Sequence, residues 1–470
     1  MWIAALRAHK VPNRKMSKST LAGCVVLVVV ALLGLHARAQ TRIPSMMTNP
    51  QGMLALHEQS YGHSVTWVEL ADGKVLLSGG GEFRVSKDGG LTWSEPFHGK
   101  DEKGSPVAAE ALVRLSGKAV GMVASQRPTA SPNSSELMFR RSDDDGRTWS
   151  SFVVINPKGP AAFMLQDVLL RTHSGRIILP VFLIIGQGGD FAWHLEEQPF
   201  VGGFVNGNFV SVDAHFYDPH FGASYVFFSD DDGKSWQRNR DGELFILLKD
   251  GGLVESTFEP SVTEVSPGKL LMLMRTRVGR YFQAWSQNNG ETWTRPQPTQ
   301  LAGTQAPAQV RTIKDTGHLL CVFTQQSSEE VRRGFMRTRL TSAISRTGGR
   351  LWEHFQNVES LHEATHVAPG PIEIVRPEEA YSIREKGARE ADPKYVAPLP
   401  IGYGRWSYPS VLILKDRVLI SYTYSWVDET GAENVKNGSR LKVLPLTWFY
   451  GGRAPYDNDM LKRLSQPPRP

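Results

Sequence analysis

Beyond its first 39 residues the chain is a succession of short apolar runs broken by polar, Gly-rich turns. The stretch around the fourth repeat is representative. Lys269 to Met274 is an apolar run of β-prone residues, Tyr281-Phe282-Gln283-Ala284-Trp285 alternates, a polar turn follows, and another run begins after it. Alternation with a period of two is the mark of strands, and helical periodicity is scarce outside the N-terminal segment.

One turn recurs. A serine is followed two positions on by an acidic or polar residue, four on by glycine and seven on by tryptophan. The five copies begin at Ser86, Ser142, Ser229, Ser286 and, in worn form, Ser345, ending at Trp93, Trp149, Trp236, Trp293 and Trp352. Serine-to-serine intervals are 56, 87, 57 and 59 residues, the period of a repeat architecture. Serine and aspartate side chains can bond nearby amides, glycine supplies the positive φ of a tight hairpin, and tryptophan has a large face to bury. Short strands at this spacing predict an all-β fold, a β-propeller of four-stranded blades. Five boxes mark five blades. A boxless strand-rich unit, Tyr408 to Leu414, Arg417 to Tyr424 and Arg440 to Tyr450, adds a sixth. Six blades is the expected count, with seven the alternative. The long interval predicts a loop from Gly186 to Pro219 in the third blade, and a second insertion runs from Glu363 to Gly404.

Residues 1–39 stand apart. Lys10, Arg14, Lys15 and Lys18 precede an apolar run from Leu21 to Leu35, and Ala37-Arg38-Ala39 follows as a small-residue cleavage site. This is the layout of a secretory signal peptide, which predicts an exported (secreted or periplasmic) protein whose body is residues 40–470. A retained membrane anchor is the competing reading, although the run is short for a span. The segment also accounts for the charge of +6: it holds six of the 53 Lys and Arg and no acid, leaving 47 basic against 47 acidic residues. A neutral body argues against nucleic acid as a partner. With Cys24 in the signal, Cys321 is alone and forms no internal disulfide.

A fainter repeat bears on chemistry. Each blade opens with a polar residue ahead of an apolar strand and a turn: Glu110 before Gly117, Asp167 before Gly175, Glu259 before Gly268, Gln309 before Gly317, and Tyr408 before Asp416-Arg417. The innermost strands of a propeller line its channel, so these residues should converge at one mouth. A ring of structural hydrogen bonds is the alternative role for each.

The chain resembles the sialidase (neuraminidase) superfamily from about Thr41 to about Tyr450, its boxes matching that family's Asp-box repeats. Glu259-Pro260-Ser261-Val262 with Arg275 resembles the segment bearing the catalytic glutamate and a carboxylate-binding arginine. Trp406-Ser407-Tyr408-Pro409-Ser410 resembles the one bearing the nucleophilic tyrosine. The resemblance implies hydrolysis of a terminal acidic sugar, sialic acid, from a glycan, with Tyr408 as nucleophile, Glu259 as its base, and Arg42, Arg275 and Arg337 binding the substrate carboxylate. A free phenol has a pKa of about 10 and needs such a base. A phenol also avoids the repulsion a carboxylate nucleophile would meet from an acidic sugar, and tyrosine nucleophiles are this group's departure among glycosidases. Guanidinium groups grip a carboxylate bidentately.

Three positions stay open. Arg339 rivals Arg337. Arg42, in Arg42-Ile43-Pro44, resembles the family's first-blade arginine, but Trp67 to Leu77 also reads as the inner strand of that blade, which would move the position to near His63. The family's general-acid aspartate has no counterpart between Gly52 and Glu69, where His57, Glu58 and His63 stand instead. Glu110 or Asp167 is left to donate the proton. No metal or organic cofactor is implied. The alternatives are a propeller glycosidase acting on another sugar, or a glycan-binding propeller without turnover.

Overall fold

In a computed structural model, the described residues lie between 50 and 455, with 60–62, 127–135, 158–161, 187–201, 206–207, 212–219, 248–253, 304–305, 333–336, 374, 376–400 and 432–434 outside the description. The proposed signal segment and Arg42 also fall outside it. All described residues belong to the compact unit Ile43–Pro470.

Seven sheets of three or four strands follow one another along the chain. The first is Thr66–Glu69, Val75–Gly79 and Glu82–Ser86. The second joins Gly99–Asp101, Pro106–Val107 and Thr148–Trp149. The third is Ala111–Arg114, Val120–Gln126, Glu136–Ser142 and Val153–Val154. The fourth is Leu170–Arg171, Ile177–Gly186, His220–Ser229 and Gln237–Arg238. The fifth is Phe258–Ser266, Lys269–Arg275, Arg280–Ser286 and Gln297–Ala302. The sixth is Ala308–Thr312, Leu319–Thr324, Arg339–Ser345 and Glu353–Ser360. The seventh is Gly404–Ile413, Arg417–Val427, Val435–Pro445 and, from the other end of the chain, Ala55–Gln59.

The expected count of six is therefore one short. The second sheet has no apolar inner strand and no box of its own. It forms where Gly99–Asp101 lies parallel against Thr148–Trp149 of the second box. Gly99 permits this approach, since a Cβ there would stand 2.6 Å from the Trp149 indole nitrogen. The long interval is also more than a loop: Ile177–Gly186 and His220–Ser229 pair along their full length, and Gly202–Val205 with Asn208–Ser211 forms a ribbon beyond them.

The propeller ring is closed by its inner strands. Thr66–Glu69 packs on Ala111–Arg114, which meets Leu170–Arg171. On the other side, Phe258–Ser266 packs on Ala308–Thr312, then on Gly404–Ile413, which returns to Thr66–Glu69. Ile177–Gly186 against Phe258–Ser266 completes the circuit. Ala55–Gln59 pairs antiparallel with Val435–Pro445, so one sheet is built from both ends of the body.

The apolar core lies between sheets, and the box tryptophans pack at the junctions between them. Trp149 packs with Leu76 and Val120, Trp236 with Phe139, Trp293 with Ile178 and Leu270, Trp352 with Leu271 and Leu319, and Trp93 near Leu77 and Leu419. The seventh sheet has no box. A 3-10 turn, Leu446–Tyr450, supplies Phe449 and Tyr450 to that junction instead.

Within a box the polar atoms satisfy one another. Ser86 Oγ accepts the Gly90 N–H at 2.7 Å and donates to Asp88 Oδ1 at 2.8 Å; Asp88 in turn accepts the Thr92 N–H and hydroxyl. Burial pushes the Asp88 carboxyl up, but these hydrogen bonds overcome it and hold it at about 2. In the triple aspartates Asp143–Asp145 and Asp230–Asp232 the middle residues, Asp144 and Asp231, are used in the same way, and among the described residues no cluster of His, Cys, Asp or Glu could hold a metal ion.

Candidate active site

Two inner strands carry the same local device. The ladder between Phe258–Ser266 and Lys269–Arg275 pairs Phe258 with Arg275 and then skips to Ser261 with Leu273. That between Gly404–Ile413 and Arg417–Val427 pairs Ser407 with Thr423 and then skips to Ser410 with Ser421. Each skipped pair is a bulge whose first residue has positive φ, Glu259 at 42° and Tyr408 at 54°, and whose second is proline. Proline has no N–H for the ladder, and a bulge re-aims the side chain beside it. The serine that follows stitches the ring: Ser261 Oγ accepts the Val310 N–H at 3.1 Å, and Ser410 Oγ donates to Asp167 at 3.0 Å.

The re-aimed side chains meet. Tyr408 Oη donates to Glu259 Oε1 at 3.3 Å, joining the seventh sheet to the fifth. Arg275 Nη1 donates to Glu259 Oε2 at 2.6 Å and stands 3.5 Å from the Tyr408 oxygen. Both charged side chains are sheltered, Arg275 at 5% and Glu259 at 12% exposure. Arg337, itself at φ 59°, places its guanidinium carbon 5.3 Å from the Tyr408 ring centre and donates to Ser407 Oγ at 3.5 Å. Its carbonyl accepts the Trp406 N–H at 2.7 Å, which holds the two segments together. Tyr408, Glu259, Arg275 and Arg337 thus form one group from three sheets.

The rival Arg339 does not join them. It is buried against Glu330, Nη2 to Oε1 at 2.9 Å. Glu330 is the third residue of the short helix Ser328–Arg332, capped reciprocally by Ser327.

Asp167 is engaged with a different set of partners. It is 3% exposed, at φ 56°, and bound on all sides. Its carboxylate accepts from Thr66 and Ser410 at 3.0 Å each and faces Arg311 at 3.4 Å; its carbonyl accepts from Gln309, and its N–H donates to the Glu110 carbonyl. Burial pushes this carboxyl above its ordinary value, against the pull of Arg311 and the two hydroxyls. The residue is a tie among five sheets. Glu110 is half-buried, its Oε1 accepting the Ser125 N–H at 3.0 Å and hydroxyl at 2.6 Å.

In the first sheet the inner strand is Thr66–Glu69, the competitor to the Arg42 segment. His63 is exposed just ahead of it, and Ser64 Oγ donates to Gln166 Oε1 at 3.2 Å. His57 and Glu58 lie on the outer strand of the seventh sheet, bonded to Gly90 and Arg440. Sequence reasoning missed the repeated Pro-Ser-Val after Glu259 and Tyr408, a readable sign of twin bulges.

A model of the BNR repeat-like domain matches residues 82–420. A sialidase from Bacteroides fragilis (strain YCH46) is 26% identical over 347 residues, covering 67% of this chain and 54% of that protein. The chain therefore spans about half the length of that relative. Among solved structures, a Hadza microbial sialidase is 16% identical with a TM-score of 0.46, over 83% of this chain and 66% of that one. Trypanosoma rangeli sialidase is 14% identical with a TM-score of 0.46, over 88% and 60%. Because the domain match spans most of the ring, from the first box sheet into the seventh, the chain belongs to the BNR repeat-like family, the Asp-box propellers of the sialidase superfamily.

Proposed function

We propose that this protein is an exo-glycosidase that removes a terminal acidic sugar, α-linked sialic acid, from a glycan with retention of configuration. The observation that carries the reading is the contact between Tyr408 and Glu259, with Arg275 on both. Glu259 takes the phenolic proton as Tyr408 attacks the anomeric carbon, giving a tyrosyl-linked sugar and expelling the aglycone. Water then attacks that carbon, losing a proton to the carboxylate that had protonated the leaving oxygen, while Glu259 returns its proton to the Tyr408 oxygen as the bond to it breaks. Arg275 and Arg337 hold the sugar carboxylate; Arg42, the third arginine in the sequence reading, lies outside the described residues. Of the two acids left open we assign Glu110 to protonate the leaving oxygen, since the carboxylate of Asp167 is engaged by Thr66, Ser410 and Arg311 while Glu110 is bonded to Ser125 through Oε1. Residues 1–39 would direct export.

The test is turnover of a fluorogenic sialoside by the exported protein, with Tyr408→Phe and Glu110→Gln as controls. Release that survives Tyr408→Phe unchanged rejects the nucleophile. A second reading, glycan binding without turnover, draws support from the first sheet, where His63 and Ser64 stand ahead of the inner strand with no carboxylate. Glycan affinity with no hydrolysis on a panel of sialosides, uronides and neutral glycosides would favour it.

A further inference from the structure

The hairpin that carries Glu259 and Arg275 bears a second carboxylate–guanidinium pair with no part in the chemistry above. Its ladder ends with Phe258 opposite Arg275, and Glu255 and Arg277 lie just beyond, on the two chains leaving that end. Glu255 is 1% exposed; its Oε1 accepts the Ser256 N–H at 2.8 Å and Arg277 Nε at 2.9 Å. The backbone of Arg277 is fixed too. Its carbonyl accepts the Val375 N–H at 2.9 Å from the segment that reaches over from the sixth sheet, and Arg280 donates to Gly370 in that segment.

A carboxylate this buried is a poor bargain for a surface ion pair, which gains little in water. Its geometry suits orientation instead. Holding the guanidinium at Nε leaves the edge of the two terminal amino groups without, among the described residues, another hydrogen bond, on a side chain that is 18% accessible. Glu255 also cancels the charge of Arg277. The pair therefore offers donors without net charge, which suits a neutral acceptor better than a second anion.

We propose that Arg277 is a substrate-binding residue that grips a neutral hydrogen-bond acceptor on the acidic sugar, a hydroxyl or an amide carbonyl, while Arg275 and Arg337 hold its carboxylate. Glu255 is its positioning residue. The inference rests on the acidic-sugar reading and extends it from the carboxylate to the rest of the ring.

The experiment is calorimetric titration of wild type, Arg277→Ala and Arg277→Lys with N-acetylneuraminic acid, its analogue with hydroxyl in place of the acetamido group, and its analogue with a shortened glycerol chain. Expected is an affinity loss of about 10- to 100-fold for Arg277→Ala on the parent sugar. That loss should shrink at least several-fold on one of the two analogues, with Arg277→Lys recovering little. Thermal unfolding of the variants should stay near wild type. Equal losses on all three sugars, or no loss on any, overturn the assignment. Wild-type binding without turnover would defeat the hydrolase reading alone, because the affinities still report on Arg277; wild type that binds none of the sugars defeats both.

Discussion

The outer boxes and the inner strand openings use one backbone device for opposite ends. The fourth position of every box is left-handed, and it is filled by Gly89, Asp145, Asp232, Asn289 and Gly348. At the inner side Asp167, Glu259, Arg337 and Tyr408 are left-handed as well, at φ from 42° to 59°. In the periphery the conformation matters and the side chain is interchangeable, glycine included. At the centre each side chain is tied to particular partners and glycine never appears among the four. Strain of about 1 kcal/mol or more per residue is tolerated there because the surrounding ladders and stitches over-determine it. In the boxes the backbone conformation is what repeats, whereas at the inner side the same conformation presents a different side chain at each position.

The sharpest way to break that contrast is at Tyr408. Tyr408→Phe should lower sialoside turnover about 10^4-fold, near 5 kcal/mol of barrier, while leaving the melting curve in place. A variant that also melts early would make Tyr408 part of the scaffold. Asp167→Ala should do the reverse. It leaves Arg311, Thr66 and Ser410 facing a void, and denaturant unfolding should show a loss of about 3–5 kcal/mol. A loss within 0.5 kcal/mol would remove Asp167 as a tie of the ring.

A third prediction separates box junctions from the boxless one. His318 is bonded to Tyr450 at 2.9 Å, and burial, with Arg346 and His354 nearby, holds it down at about 4. A base with a depressed folded pKa resists protonation while the unfolded chain accepts it near 6.5, so stability should be full above that value and fall as pH drops from about 6.5 to about 4. His318→Gln should flatten that slope. Asp88, held at about 2, contributes stability that is present above about 3.8 and lost only as pH falls toward about 2, so the box should outlast the boxless junction in acid. Stability measured across pH 4–7 with no change on His318→Gln would contradict this. The smallest effect is expected at Asn289→Gly, which relieves a left-handed side chain: a gain of up to about 1 kcal/mol set against lost Asn289 contacts, with turnover unchanged. Loss of activity there would blur the line between rim and centre.

Much of this was legible in the chain. The boxes announced the blades because serine, acid, glycine and tryptophan each have a local task that forces their spacing. Glu259, Tyr408, Arg275 and Arg337 could be singled out because their segments resemble known ones, and the structure brings those four together. The second sheet was not legible, since it borrows Thr148–Trp149 from another sheet's turn and has no pattern of its own. Asp167 reads as a candidate acid and as a tie for one reason, since a polar residue opening an inner strand is compatible with either; its partners in five directions were not legible because they come from distant parts of the chain. Glu255 and Arg277 gave no signal because a pair across a hairpin end is set by register, which one sequence does not reveal.

The sheet made from both ends of the body has a consequence for biosynthesis. Tyr408 rides on strands that need Val435–Pro445 on one side, and that strand is in turn edged by Ala55–Gln59. A nascent chain emerges from the ribosome with Ala55–Gln59 early, and that strand waits for its partner until about 375 further residues have been made. The segment carrying Tyr408 is thus fixed late in folding, and a polypeptide cut short before Val435–Pro445 would carry boxes, wedges and most of a ring but leave the hairpin that carries Tyr408 without its neighbouring strand.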